Sequence, residues 1–463
     1  MQIASTCLSA MLSCAMLAAV PAAATPMAVN DKLLDALQQM NGVPGMSAAI
    51  IKDGKLVWQG STGYADVDRK VPVSRTTRFR LASVSKFVTA VMLARLVEQD
   101  RIRLSDPVSA YLPDFPAKAY TFSSLQLASH SAGMPHYDAL QDAQRDEAAT
   151  PFKNVAAGLE VFKDRPLVHP PGTKFLYSSF GFNLLAAVME RAAKTDFRSQ
   201  LATLSDIAKA PSLQAEQLNT GRKHWSALYD VGGTELPRGN ISYNWAGGGL
   251  LSNASDLARV GAATLDPSYI SPATLSLFTT PVRFTDGSEV TGENFTMGIG
   301  LRLNVDQHGR RYYHHSGATR GARSHISVYP DQRLVVAILS NASWASAIEM
   351  TARALAEPVM ANGDNKQCVA RRFAYQGTYK EKPVTGAVQF MPMHGYCTAV
   401  FGADNALGKW LSGGASGTSF TLLGQGAKLS MVTPLGLFPV SKSGTSMTLT
   451  ISGKPLALTL SEG

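Results

Sequence analysis

The run from Arg80 to Val97 is apolar at nearly every position, yet a lysine sits inside it. Val84, Phe87, Val88, Ala90, Val91, Met92, Leu93, Leu96 and Val97 leave no polar stripe at helical spacing, so a helix here belongs in a core. Ser83 and Lys86 are three residues apart and face the same way on that helix. Burial disfavours an ammonium group and drives the lysine toward its neutral form. A neutral lysine one turn from a serine hydroxyl is a base placed to activate a nucleophile. Ser83 would stand at the helix N-terminus, where free N–H groups favour negative charge on an attacking oxygen. Ser-x-x-Lys recurs by chance, and its other reading is a surface serine followed by a lysine that snorkels to water. The apolar surround favours the buried pair.

A chain of 463 residues is long for one core, and two domains are the natural expectation. The net charge of +9 invites a nucleic-acid reading, but the basic residues are scattered and no stacking aromatics alternate with them. No nucleic-acid partner is expected, and a diffuse basic surface suits anionic envelope surroundings. Residues 1–24 carry no charged side chain and run from Leu8 through Val20 to Pro21-Ala22-Ala23-Ala24, which reads as a secretory signal. The chain is therefore expected to be periplasmic or secreted, in association with the cell envelope. Export leaves Cys368 and Cys397, an even pair that reads as a disulfide. Neither has zinc-finger spacing to a second ligand pair, so no metal and no cofactor are expected.

Residues 31–41 read as a short amphipathic helix, and Met46–Ile51 with Leu56–Thr62 as a β-hairpin. Short helices are expected from Asp106-Pro107 to Pro113 and over Leu125–Ser131, the latter closed by Gly133. Phe182–Met189 reads as a buried helix, and residues 196–240 as a weakly patterned insertion on the substrate side. Ser255-Asp256 reads as the cap of a helix reaching Ala263. Four runs, Gly298–Asn304, Tyr312–His315, Ser324–Tyr329 and Leu334–Leu339, form an antiparallel meander. A helix over Ala347–Ala356, stopped by Pro358, closes it. The expected fold is α+β: an antiparallel sheet flanked by helices, an all-helical subdomain, and a small β-rich C-terminal domain. The boundaries are residues 1–24 for the signal, 25–365 for the main domain and 366–463 for the C-terminal domain.

Two further stretches carry chemistry. Tyr177, on a turn before a helix, has a phenol that can relay protons to and from a serine oxygen. His315-Ser316-Gly317-Ala318 lies on a strand whose small residues let a substrate backbone run alongside, and the Ala318 N–H would pair with that of Ser83 around an oxyanion. Ser83-x-x-Lys86, Tyr177-Ser178-Ser179 and His315-Ser316-Gly317, in this order, resemble the three motifs of the serine β-lactamase and penicillin-binding-protein superfamily. They are most similar to its class C-like branch of esterases, D-amino-acid peptidases and serine β-lactamase-like proteins. Leu127-Ala128-Ser129-His130-Ser131-Ala132-Gly133 and Gly247-Gly248-Gly249-Leu250-Leu251-Ser252 add to the likeness, which covers about residues 30–360.

The resemblance implies Ser83 as the acylated nucleophile and Lys86 with Tyr177 as its base pair, either of which takes the proton. It also implies Ser179, His315, Ser316, Gly317 and Ala318 around the substrate, a small ester, peptide or β-lactam-like molecule. Ser179 replaces the Asn usual in β-lactamases and removes an amide that holds the lysine. His315 replaces the usual Lys and, mostly neutral near pH 7, anchors a carboxylate less firmly. Both changes resemble esterase and peptidase members. Arg320 and Arg323, just past the motif, are either exposed loop residues or the replacement charge. The alternatives are a β-lactamase, or a penicillin-binding sensor or structural protein with little turnover.

Overall fold

The computed structural model describes residues 26–137, 150–217, 224–230, 233–306, 308–345, 348–360, 369–379, 381–393, 396–402, 405–411, 419–425, 428–433, 436–451 and 454–462. The expected signal over residues 1–24 and Cys368 lie outside the described residues. The main sheet has eight strands in the order Val71–Pro72, Lys55–Asp66, Gly45–Lys52, Leu334–Ser340, Ala322–Tyr329, Arg311–Thr319, Arg302–Val305 and Thr296–Met297, every neighbouring pair antiparallel. The N-terminal hairpin and the meander share this one sheet.

Leu334–Ser340 lies near the middle and is buried along its whole length. Strand alternation sends Val335, Ala337 and Leu339 into one core and Leu334, Val336 and Ile338 into another, so both faces of the sheet are covered. The second core is closed by the helices Pro26–Asn41 and Ile348–Met360. The first is closed by Val84–Glu98, whose uniformly apolar surface lets it lie between the sheet and the helical subdomain of Ser124–Ala128, Val155–Leu159, Ser179–Ala193 and Phe197–Ile207.

Some boundaries differ from those expected. The Ser124–Ala128 helix ends at Ser129, and the left-handed residue that turns the chain is His130, with φ of 59°. Gly133 lies beyond the helix, where a side chain would strike the His169 carbonyl. Asn253, not Ser255, caps Ala254–Ala263, its side chain accepting from the Asp256 N–H at 2.8 Å. Pro358 falls inside Ile348–Met360 and does not stop it. Residues 196–240, weak in pattern, contain the amphipathic helix Phe197–Ile207 capped by Asp196.

The C-terminal part is a closed antiparallel barrel of eight strands from Arg371–Tyr379 to Lys454–Glu462, the first strand paired with the last. Phe373, Tyr375, Phe401, Phe420, Met431, Phe438 and Leu449 fill it as a core of its own. Cys397, on its Tyr396–Phe401 strand, is disulfide-bonded.

Candidate active site

Ser83 enters the site through a strained turn. Ala82 has φ of 45°, a left-handed conformation that costs a residue with a Cβ, and Ser83 follows it as the N-cap of the Val84–Glu98 helix. The turn is tied down on both sides: Leu81 donates to the Leu250 carbonyl at 2.8 Å, Ser324 Oγ donates to the Leu81 carbonyl at 2.5 Å, and Ser85 Oγ accepts from the Leu250 N–H at 3.1 Å. Just ahead, Arg80 forms a buried pair with Glu216, 2.7 Å apart, and Arg238 reaches the same carboxylate at 2.9 Å. Burial alone would raise the Glu216 carboxyl, but the two guanidinium groups hold it below its usual range.

Lys86 is fully buried. Its Nζ lies 2.6 Å from the Gly247 carbonyl, 2.8 Å from Ser179 Oγ and 3.4 Å from Ser83 Oγ. Desolvation, helped by the nearby Arg302 charge, puts its pKa well below the ordinary lysine value. A neutral amine has two N–H bonds, which match Gly247 and Ser179, and its lone pair is left for the Ser83 hydroxyl. Ser179 is therefore not the loss anticipated from its sequence: its hydroxyl holds the lysine where an amide would. It is fully buried and lies behind the cleft, not against the substrate space.

Tyr177 precedes the Ser179–Ala193 helix, and two histidines fix its turn. His130 Nδ1 accepts from the Ser178 N–H and His136 Nδ1 from the Ser179 N–H, both at 3.1 Å. Burial lowers both rings, His136 to about 4, with the Lys86 charge adding to it. The Tyr177 hydroxyl is enclosed and makes no aligned hydrogen bond, although Ser83 is close enough to favour its ionisation. Desolvation outweighs Ser83 and Arg302 and pushes the phenol up to about 12. Tyr177 is a neutral phenol, and Lys86 Nζ, an amine driven toward its neutral form, stands 4.6 Å from its ring centroid.

The cleft in front of Ser83 is about 620 Å³ and is lined by His136, Tyr137, Tyr177, Arg302, Ser316, Gly317, Ala318, Arg323, Ala345, Ile348 and Glu349. Its strand approaches the nucleophile closely. A Cβ on Gly317 would lie 2.4 Å from the Leu81 carbonyl and 3.1 Å from the Ser83 nitrogen, so only glycine lets the strand run there. His315, two residues earlier on the same face, packs against Tyr177, their ring centroids 6.4 Å apart. It is 1% exposed, its Nδ1 lies 2.7 Å from the Ser316 carbonyl, and burial lowers its pKa well below the usual value. A carbonyl only accepts, so Nδ1 carries the proton and His315 offers the cleft no charge.

The positive charge comes from Arg302, which lies ahead of the motif and was not among the sequence candidates Arg320 and Arg323 beyond it. Its guanidinium lines the cleft, 4.3 Å from the Phe295 ring centroid and 5.7 Å from that of Tyr177. Among the described residues no carboxylate or carbonyl takes a hydrogen bond from it. Of the two sequence candidates, Arg320 is exposed. Arg323 lines the cleft but donates to the Thr319 and Ala322 carbonyls of its own hairpin, both at 3.1 Å.

A beta-lactamase family profile matches residues 30–357. The chain belongs to the beta-lactamase family. It is thus a member of the β-lactamase-fold serine hydrolases, and the barrel lies outside the match. Human mitochondrial serine beta-lactamase-like protein LACTB is 28% identical over 392 residues, covering 65% of this chain and 71% of that protein. The octameric penicillin-binding protein homologue from Pyrococcus abyssi shares the fold with a TM-score of 0.62 at 20% identity, over 93% of this chain and 99% of the other. A D-stereospecific amidohydrolase from Streptomyces has a TM-score of 0.57 at 22% identity, over 71% of this chain and 98% of its own.

Proposed function

We propose that this protein is an exported serine hydrolase that forms an acyl-enzyme on Ser83 and acts on small esters or peptide-like amides bearing an anionic group. One observation carries the reading: Lys86 is buried, driven toward its neutral form, and placed 2.6 Å from the Gly247 carbonyl, 2.8 Å from Ser179 Oγ and 3.4 Å from Ser83 Oγ, so that the neutral amine gives its two N–H bonds to the first two and keeps its lone pair for the third. Lys86 takes the Ser83 proton as Oγ bonds to the substrate carbonyl carbon. The oxyanion sits between the Ser83 and Ala318 N–H groups. The bond to the leaving group breaks, and the proton passes to that group from Lys86 by way of the neutral Tyr177 hydroxyl. Water then attacks the ester carbon of Ser83, Lys86 receives its proton, and Ser83 Oγ is released reprotonated.

Arg302, a cation facing the cleft from between two aromatic rings, supports an anionic substrate. It also favours the second reading, a β-lactamase, because a β-lactam carries a carboxylate, and it weakens the case against β-lactams built on His315 alone. A fluorophosphonate probe followed by peptide mapping tests the nucleophile: label is expected on Ser83 and none after Ser83→Ala. Label on Ser85 or Ser316 overturns it. Turnover of p-nitrophenyl esters and D-Ala-D-Ala peptides against nitrocefin separates the two substrate readings. Export rests on residues 1–24, and fractionation of the producing cells tests it.

A further inference from the structure

Beside the cleft, whose wall Ser316 and Glu349 share, the sheet face under the Ile348–Met360 helix carries a second cluster that the Ser83 chemistry does not use. Ser316 is paired with His325 across the hairpin and His314 with Ser327, so His314, Ser316, His325 and Ser327 share one face. Glu349, in the first turn of the helix, lies over it. We propose that His314, His325 and Glu349 form a binding site for a divalent transition-metal ion of the zinc type.

One ligand atom from each of the three falls within 4.8 Å of the others. A four-coordinate ion with bonds of about 2 Å needs its donors about 3.3 Å apart, so modest side-chain rotation closes the set. The independent sign of a missing ligand is His314. It is 1% exposed, its Nδ1 is buried with no hydrogen-bond partner, and that nitrogen lies 3.9 Å from Glu349 Oε1. Its Nε2 lies 3.3 Å from the Asn304 side-chain amide. The atom facing it is Nδ2, a donor, so here Nε2 accepts and Nδ1 carries the proton toward Glu349; an ion that takes Nδ1 displaces that proton, and the Asn304 amide turns over so that its oxygen accepts from Nε2–H, the arrangement of a metal-bound histidine oriented by a neighbour. His325 touches hydroxyls through both nitrogens, Ser316 Oγ at 2.8 Å and Ser327 Oγ at 2.6 Å. Ser316 Oγ also reaches Glu349 Oε2 at 3.4 Å, which marks Nδ1 as the nitrogen on the carboxylate side.

Two imidazoles and one carboxylate suit zinc, cobalt or nickel, whereas calcium and magnesium prefer all-oxygen sets. A fourth position is left for water. Arg302 and Arg353 act on the Glu349 charge and oppose a cation, so the site is one that exchanges its ion and does not hold it permanently. Ligation draws His325 Nδ1 away from Ser316, a residue of the cleft wall. Metal occupancy is therefore coupled to the catalytic strand.

The test titrates the full-length protein, stripped with chelator, with Co²⁺ followed by visible absorption and with Zn²⁺ by calorimetry. One ion per chain is expected, with tetrahedral cobalt bands, and at least tenfold weaker binding in both His314→Ala and Glu349→Gln. Circular dichroism and Tm check that each variant folds, and the near-isosteric Glu349→Gln stands if His314→Ala does not. No saturable binding, or binding unchanged in a folded variant, overturns the proposal. No substrate is present, so this outcome is separate from acylation at Ser83.

Discussion

Lys86 is where chemistry and burial meet, and its protonation should govern the pH profile. Burial first and Arg302 second hold its pKa well below the lysine range. A base must be unprotonated to act, so kcat/KM is expected to fall as pH drops through that lowered value. His130, His136 and His315 are all lowered by burial, so the acidic limb is left to the lysine. Removing the Arg302 charge lets the lysine pKa rise, so Arg302→Met should move the limb to higher pH. An unmoved limb would detach Arg302 from the base. On the alkaline plateau the same variant should lose roughly ten- to a hundred-and-fifty-fold in kcat/KM for carboxylate-bearing substrates, the worth of a charge-assisted hydrogen bond, and far less for neutral esters. Lys86→Ala and Tyr177→Phe should each lower kcat by roughly 10²–10⁴-fold, and the double variant by much less than the product. Full multiplicativity in stopped-assay kinetics would count against a shared relay. His315→Lys, by contrast, would put a second buried cation beside Arg302, so it should lower Tm and not create a carboxylate anchor.

At the scale of elements, the turn into the Val84–Glu98 helix stores strain that neighbouring pieces of chain maintain. Ala82→Gly should raise stability by about 1 kcal/mol in urea unfolding, because glycine adopts the left-handed region without the Cβ penalty. Gly317→Ala should do the reverse, pushing the strand off Leu81 at a cost of about 1–3 kcal/mol and with a large loss of activity. Wild-type activity in Gly317→Ala would mean the strand and nucleophile do not need to lie so close. Glu216→Gln leaves Arg80 and Arg238 buried without their counter-charge, and a loss of roughly 3–5 kcal/mol is expected. These elements also show what the sequence disclosed. The Val84–Glu98 helix and the Leu334–Ser340 strand were legible because each is an apolar run nearly unbroken along its length, told apart by that length and by their flanks, and the helix brought Ser83 and Lys86 with it. Arg302 and the His314–His325–Glu349 cluster were not, since strand register and a distant helix bring them into place. Ser179 and His315 were legible as positions, but that both side chains are buried and do not line the cleft depends on packing that no motif records.

Over the whole molecule, two units with separate cores are joined through chain near residue 369 and touch at points such as Ser430 Oγ with His308 Nε2, 3.3 Å apart. Two thermal transitions are expected by calorimetry, the barrel's shifting alone when the disulfide at Cys397 is reduced. A single transition that moves as one under reductant would argue for one cooperative unit. The β-rich C-terminal composition pointed to this division, but closure did not follow from it, because closure depends on the pairing of strands most distant in sequence.

That closure has a further consequence. Phe373 on the first barrel strand is paired with Glu462 on the last, so the barrel's entry and exit lie side by side, and among the described residues no strand is shared with the main sheet. A piece built this way behaves as a cassette. It can be grafted, replaced or circularly permuted without threading anything through the hydrolase fold, and cutting it away leaves no orphaned ladder behind.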